Sequence, residues 1–230
     1  MFYSDLATRP CLLERILHHN LQGELTLVYG ESGSGKTAMA LDAAISKARE
    51  GRTTIFVDAD FHVSAERIRQ MSGVDTQKIL PLIYFVRPCS FRGLTHLLLS
   101  LGNFINPKLG GIIVDTITSL YRAELTSNNV FRLNRELSLQ LACLADLALT
   151  YNLMVILTSQ VKSPLAENRV GGFEPVGTRV LRYWSRNIVK ILPPRRTQVR
   201  EVLVEKGSEH SVVAHKLCIR LAEEGLVEVS

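Results

Sequence analysis

Residues 24–50 read ELTLVYGESGSGKTAMALDAAISKARE, and the pattern changes twice along them. Residues 24–29 are apolar and β-branched, the composition of a buried strand. Residues 30–37, GESGSGKT, fit G-x-x-x-x-G-K-[ST] in full. Residues 37–50 are strong helix formers with no breaker. Strand, glycine turn and helix in that order make a phosphate-binding loop. Its glycines adopt φ values other residues avoid, so the backbone can wrap an anion. Its N–H groups and the helix N-terminus then point at that anion. The candidate nucleotide-binding residues are Gly30, Glu31, Ser32, Gly33, Ser34, Gly35, Lys36 and Thr37. Lys36 is expected at the β- and γ-phosphates and Thr37 on Mg²⁺, so ATP and Mg²⁺ are the expected ligands.

Outward from this stretch, strand and helix signals alternate. Apolar strands are expected at 53–60, 80–86, 110–117 and 153–161, with helices at 64–71, 91–105 and 131–150. Strands apolar on both faces and separated by helices predict an α/β fold with a mostly parallel sheet covered on both sides. Beyond residue 187 the helices stop. The runs 187–192, 199–206, 216–221 and 225–229 predict a C-terminal antiparallel extension, with PPRR (193–196) as a turn. We expect one domain over 1–230: an N-terminal segment 1–22, a core 23–186 and the extension 187–230.

Two further sites carry acids at strand ends. The run GGIIVDT (110–116) places Asp115 after an apolar strand, the Walker-B pattern for a second metal-holding residue. The run VDAD (57–60) offers Asp58 and Asp60, which alternation would turn to the same side of one strand.

Composition excludes several classes. With 46% hydrophobic and 21% charged residues, large-scale disorder is not expected. The N-terminus carries Asp5 and no long apolar run, so no secretory signal is expected. The most apolar stretch, 137–158, is broken by Asp146 and Asn152 and reads as a helix followed by a strand rather than a membrane span. Cys11, Cys89, Cys143 and Cys218 lie far apart without metal spacing, which suits reduced thiols in the cytoplasm. The net charge of +5 is uneven: residues 161–200 carry nine Lys or Arg against two Glu, a net +7, and the rest of the chain is −2. Such an excess fits either a polyanion such as nucleic acid or a solvated basic surface.

Four motifs follow one another: the glycine turn, FVDADFHVSAERI (56–68), VDTITSLYRAE (114–124) and ILTSQV (156–161). In this order they resemble the RecA-type recombinases, nearest the short archaeal RadB branch. The resemblance implies a RecA-like P-loop ATPase core, ATP and DNA binding, and a role in DNA repair and homologous recombination. The N-terminus is read as too short for the helical DNA-binding domain that precedes the core in RadA. By resemblance Asp60 stands where relatives carry a catalytic Glu, one methylene longer, and Gln160 matches a glutamine that senses the γ-phosphate. Weak ATP hydrolysis is therefore expected, and no strand exchange by the chain alone.

By the same resemblance two loops face DNA without reading its sequence. One spans roughly 124–135, with Arg132 and Arg135, and the other roughly 161–180, with Lys162, Arg169 and Arg179. Phe173 and Tyr183 are candidate stacking faces, and Trp184 is read as core. Relatives chain together through an exposed Phe-x-x-Ala segment, whereas the only such spacing here, Phe56–Ala59, falls in a buried strand. Self-association is thus expected to be weak, and a main recombinase or a junction-processing enzyme is the expected partner, with no membrane. Two alternatives stay open: a KaiC-like regulatory ATPase that binds no DNA, and an accessory protein whose nucleotide is a structural ligand.

Overall fold

The computed structural model describes residues 10–161, 177–193, 199–207, 216–222 and 225–229. Their strands are β1 (Leu25–Gly30), β2 (Thr53–Asp58), β3 (Ile83–Val86), β4 (Leu109–Asp115), β5 (Met154–Gln160), β6 (Asn187–Ile191), β7 (Val199–Lys206), β8 (Lys216–Ala222) and β9 (Gly225–Val229). Their α-helices are α1 (Leu12–Leu17), α2 (Lys36–Arg49), α3 (Ala65–Ser72), α4 (Thr76–Ile79), α5 (Phe91–Ser100), α6 (Ser119–Glu124), α7 (Val130–Tyr151) and α8 (Thr178–Trp184).

All nine strands form one sheet in the order β3-β2-β4-β5-β1-β6-β7-β8-β9. Pairing is parallel from β3 through β6. It is antiparallel from β6 to β9. The RecA-like α/β architecture expected from the sequence is present, and both faces of the parallel part are covered. One core gathers Leu12, Met39, Leu41, Phe56, Ile68 and Ile113 beneath α1, α2 and α3. The other gathers Leu27, Phe91, Leu98, Leu137, Leu144 and Leu181 beneath α5, α7 and α8. β1, β4 and β5 are buried almost throughout, which explains why they read as unbroken apolar runs.

Local chemistry sets several boundaries. Ser64 caps α3 by accepting from Arg67 N at 3.1 Å, and Ser90 caps α5 by accepting from Gly93 N at 3.0 Å. α7 ends where Asn152 turns left-handed, φ 51°.

Some expectations shift. Residues 80–82 form a 3₁₀ turn rather than strand, because Pro81 has no N–H for the ladder. The helix expected at 91–105 ends at Ser100 and tightens into 3₁₀ over Leu101–Phe104. β2 stops at Asp58, so Ala59 and Asp60 lie in a turn. β6 is not antiparallel to its inner neighbour: it runs parallel to β1, because α8 returns the chain across the sheet first. The antiparallel part therefore starts at β7. Most of the PPRR turn lies outside the described residues.

α1 docks on α2. Leu12 N donates to Asp42 Oδ2 at 2.7 Å, and the buried Lys47 ammonium stands 3.4 Å from Glu14 and 2.9 Å from Glu50. No helix among the described residues is long and apolar enough to cross a membrane.

Candidate functional site

The glycine turn hangs between β1 and α2, and its shape depends on missing side chains. A Cβ on Gly30 would sit 2.5 Å from the Ile191 carbonyl oxygen of β6. Gly33 and Gly35 have φ of +72° and +106°. Inside the turn, Ser34 N donates to Glu31 O at 3.2 Å. The Lys36 ammonium donates to the same oxygen at 2.6 Å. Burial lowers the Lys36 pKa, and the charges of Asp115, Asp60 and Glu31 act against that shift. Ser32 and Gly33 are exposed at the tip, where Arg200 of β7 donates to Gly33 O at 3.2 Å.

Asp115 ends β4 beside the turn and is almost fully buried. Thr37 Oγ1 donates to its Oδ2 at 2.7 Å, and Thr158 Oγ1 of β5 donates to its Oδ1. Burial raises its pKa; the bonds from Thr158 and Thr37 and the Lys36 charge pull it down, while the Asp60 charge adds to the rise. A hydroxyl and a carboxylate are thus paired next to a buried ammonium, a donor set suited to a divalent cation beside phosphates.

The two aspartates of VDAD do not act as a pair on one side of a strand. Asp58 is fully buried and accepts from His62 N at 3.0 Å, Val63 N at 3.3 Å and Arg87 Nε at 3.0 Å. Its oxygens are occupied by the loop that follows. Asp60 is half-buried, and its Oδ2 accepts from Thr116 Oγ1 at 3.3 Å, next to Asp115.

The end of β5 is stitched to the segment after β4. Thr158 reaches Asp115, Ser159 Oγ lies 3.0 Å from Thr118 Oγ1, and Gln160 Oε1 accepts from Arg122 at 2.6 Å. YRAE is a built element here. Tyr121 donates to Asn134 at 2.8 Å, and Glu124 accepts from Phe91 N at 3.1 Å.

A cleft of about 460 Å³ opens from Lys36 and Thr37 past Leu41 and Arg67 to Leu221 and Ala222. Arg67 also donates to Ala222 O at 3.3 Å. Sequence reading missed Arg67, Leu221 and Ala222 as lining residues. Arg67 belongs to no motif, and a wall far along the chain leaves no local signal.

The basic residues scatter. The segment 124–135 is not a loop: α6 runs to Glu124, residues 125–129 connect, and α7 starts at Val130. Arg132 and Arg135 are exposed on the first turns of α7, with Arg132 3.3 Å from Glu136. Arg179 is exposed on α8 rather than in a loop. Lys162, Arg169 and Phe173 lie outside the described residues. Trp184 packs against the second core and donates to Ser138 at 3.1 Å, whereas Tyr183 is 77% exposed.

Comparison with known proteins gives one consistent result. Residues 5–203 match the Rad51 family. The chain is 32% identical to the DNA repair and recombination protein RadB of Methanococcus maripaludis, over 94% of this chain and 96% of that protein. It is also 32% identical to the protein of the same name from Methanocaldococcus jannaschii, over 94% and 98%. A solved structure, the crystal structure of the RadB recombinase, superposes with a TM-score of 0.79, covering 98% of this chain and 100% of that one at 24% identity. This chain belongs to the Rad51 family.

Proposed function

We propose that this chain is an ATP- and DNA-binding recombinase paralogue that assists DNA repair and homologous recombination. It hydrolyses ATP slowly and is not itself the engine of strand exchange. The observation that carries this reading is the convergence of Lys36, Thr37, Asp115 and Asp60 around one glycine turn, in a chain whose relatives bear the name DNA repair and recombination protein.

The residues fit ATP and Mg²⁺. A Gly30 side chain would collide with the Ile191 carbonyl, so only glycine lets the turn pack this closely against β6. Lys36 would hold the β- and γ-phosphates, while Thr37 and Asp115 would hold the metal, directly or through water. The metal supplies charge neutralisation at the phosphate oxygens. Asp60 would take the proton of an attacking water and Gln160 would report the terminal phosphate. Asp60 is one methylene shorter than Glu, and a misplacement of about 1 Å can cost roughly a hundredfold in rate. That supports slow turnover.

DNA would be held without sequence reading by Arg132, Arg135 and Arg179, together with Lys162 and Arg169. Phe56 and Ala59 are both buried in this fold, which supports weak self-association and a separate recombinase or junction-processing enzyme as partner. We read residues 1–230 as one ATPase domain working in the cytoplasm. The test is ATP hydrolysis and DNA binding measured together, with and without single strands. Measurable binding of both ligands is expected. Absence of DNA binding at low salt would overturn the reading in favour of a regulatory ATPase.

A further inference from the structure

The loop between β2 and α3 holds Asp60 in an unusual way. It leaves the sheet at Asp58, and the next residue but two, Phe61, has φ +58°, a left-handed conformation that is unfavourable for a bulky side chain. Strain beside a candidate reactive group needs something to hold it in place. Arg87, one residue beyond β3, supplies that hold from three directions. Its Nε donates to Asp58 Oδ2 at 3.0 Å, its Nη2 donates to Val63 O at 2.7 Å, and its guanidinium lies 5.7 Å from the centre of the Phe61 ring. Asp58 completes the closure by accepting from the backbone of His62 and Val63. The start, middle and end of the loop are therefore fixed to one guanidinium, and Asp60 is the acid carried between them.

We propose that Arg87 is a positioning residue for Asp60: it clamps loop 58–63 so that the Asp60 carboxylate stays beside Thr116 and the glycine turn. This rests on the reading of Asp60 as a catalytic base. Arg87 itself does not line the cleft and touches no candidate phosphate ligand, although His62 of the clamped loop does line it, so Arg87 acts on turnover more than on nucleotide affinity. The planar fork of arginine meets an oxygen on either side while its face rests on a ring. A lysine ammonium offers a point charge only.

The experiment compares wild type, Arg87→Ala, Arg87→Lys, Asp60→Asn and the Asp60→Asn/Arg87→Ala double variant. It reads single-turnover ATP hydrolysis, ATP affinity, and amide exchange at His62 and Val63. Arg87→Ala should lower turnover about tenfold to a hundredfold, with a much smaller change in ATP affinity. It should speed exchange of both amides, and Arg87→Lys should recover only part of either loss. In the double variant Arg87→Ala should cost nothing beyond Asp60→Asn, because the two residues act through one group. Unchanged exchange at His62 and Val63 would overturn the clamp. So would an equal loss of turnover with and without Asp60, which marks general destabilisation. Should Asp60→Asn turn over as fast as wild type, the base assignment itself fails and the positioning role falls with it. The exchange data still say separately whether Arg87 holds the loop.

Discussion

Thr37 Oγ1 and Asp115 Oδ2 stand 2.7 Å apart, joining the first turn of α2 to the last residue of β4. On the proposed reading, a metal would meet two oxygens that the fold has already brought together, and little ordering would remain to be done on binding. Asp115 is nonetheless an acid held out of water, and its charge is costly until a cation arrives.

That cost can be measured. Burial raises the folded pKa of Asp115 above its ordinary 3.8. The contribution of this group to stability is thus fully present below 3.8 and is lost as pH rises through the folded value. Asp115→Asn cannot ionise, and its amide can still bond both threonine hydroxyls. Thermal melts should show the variant gaining on wild type as pH rises, by about 2–4 °C for each kcal/mol relieved. The extra stabilisation that Mg²⁺ gives to ATP-bound wild type should disappear in the variant. A variant that melts below wild type at pH 8 would contradict this account.

Lys36→Ala should abolish ATP binding, since Lys36 is the one cation that the glycine turn supplies. ATP should raise the melting temperature of wild type by mass action, and should leave the variant unmoved. An equal shift in both proteins would place the nucleotide elsewhere.

Restoring a methylene at position 60 should help catalysis. Asp60→Glu is expected to raise ATP turnover with affinity nearly constant. Asp60→Asn should fall below wild type, because an amide does not take up the proton. Steady-state turnover against ATP concentration separates the two effects. Asp58→Asn is a different experiment, because it weakens the bonds to His62, Val63 and Arg87 and should lower stability as well.

For DNA, the combined change of Arg132, Arg135 and Arg179 to Ala should weaken single-strand binding and flatten its salt dependence. Each phosphate contact contributes about 0.7 to the slope of log K against log salt, so losing three should remove about 2. Fluorescence anisotropy between roughly 50 and 200 mM salt is the measurement. An unchanged slope would move the DNA contacts to other residues.

The sequence made legible what repeats a local rule. The glycine turn, the apolar runs of β1, β4 and β5, and the acid ending β4 each carry their signal within a few residues. Short elements did not show. α6 and α8 are six and seven residues long, too brief for a helical period to emerge, and without α8 the direction of β6 cannot be inferred. The pairing of Asp58 and Asp60 was misread for a related reason. Alternation holds only while the strand lasts, and β2 ends at the first of the two. The partners of Gln160 and Asp58, Arg122 and Arg87, lie 38 and 29 residues away, where only the assembled sheet brings them close.

The glycine turn is walled by residues made much later in the chain. Ile191 presses on Gly30, Arg200 holds Gly33, and Leu226 packs 3.5 Å from the Cβ position of Gly35. The turn lies early in the chain, and these contacts with it come from β6, β7 and β9. The shape of the turn is thus a property of the whole sheet: a change in β6, β7 or β9, far from residues 30–37 in sequence, would be expected to loosen it.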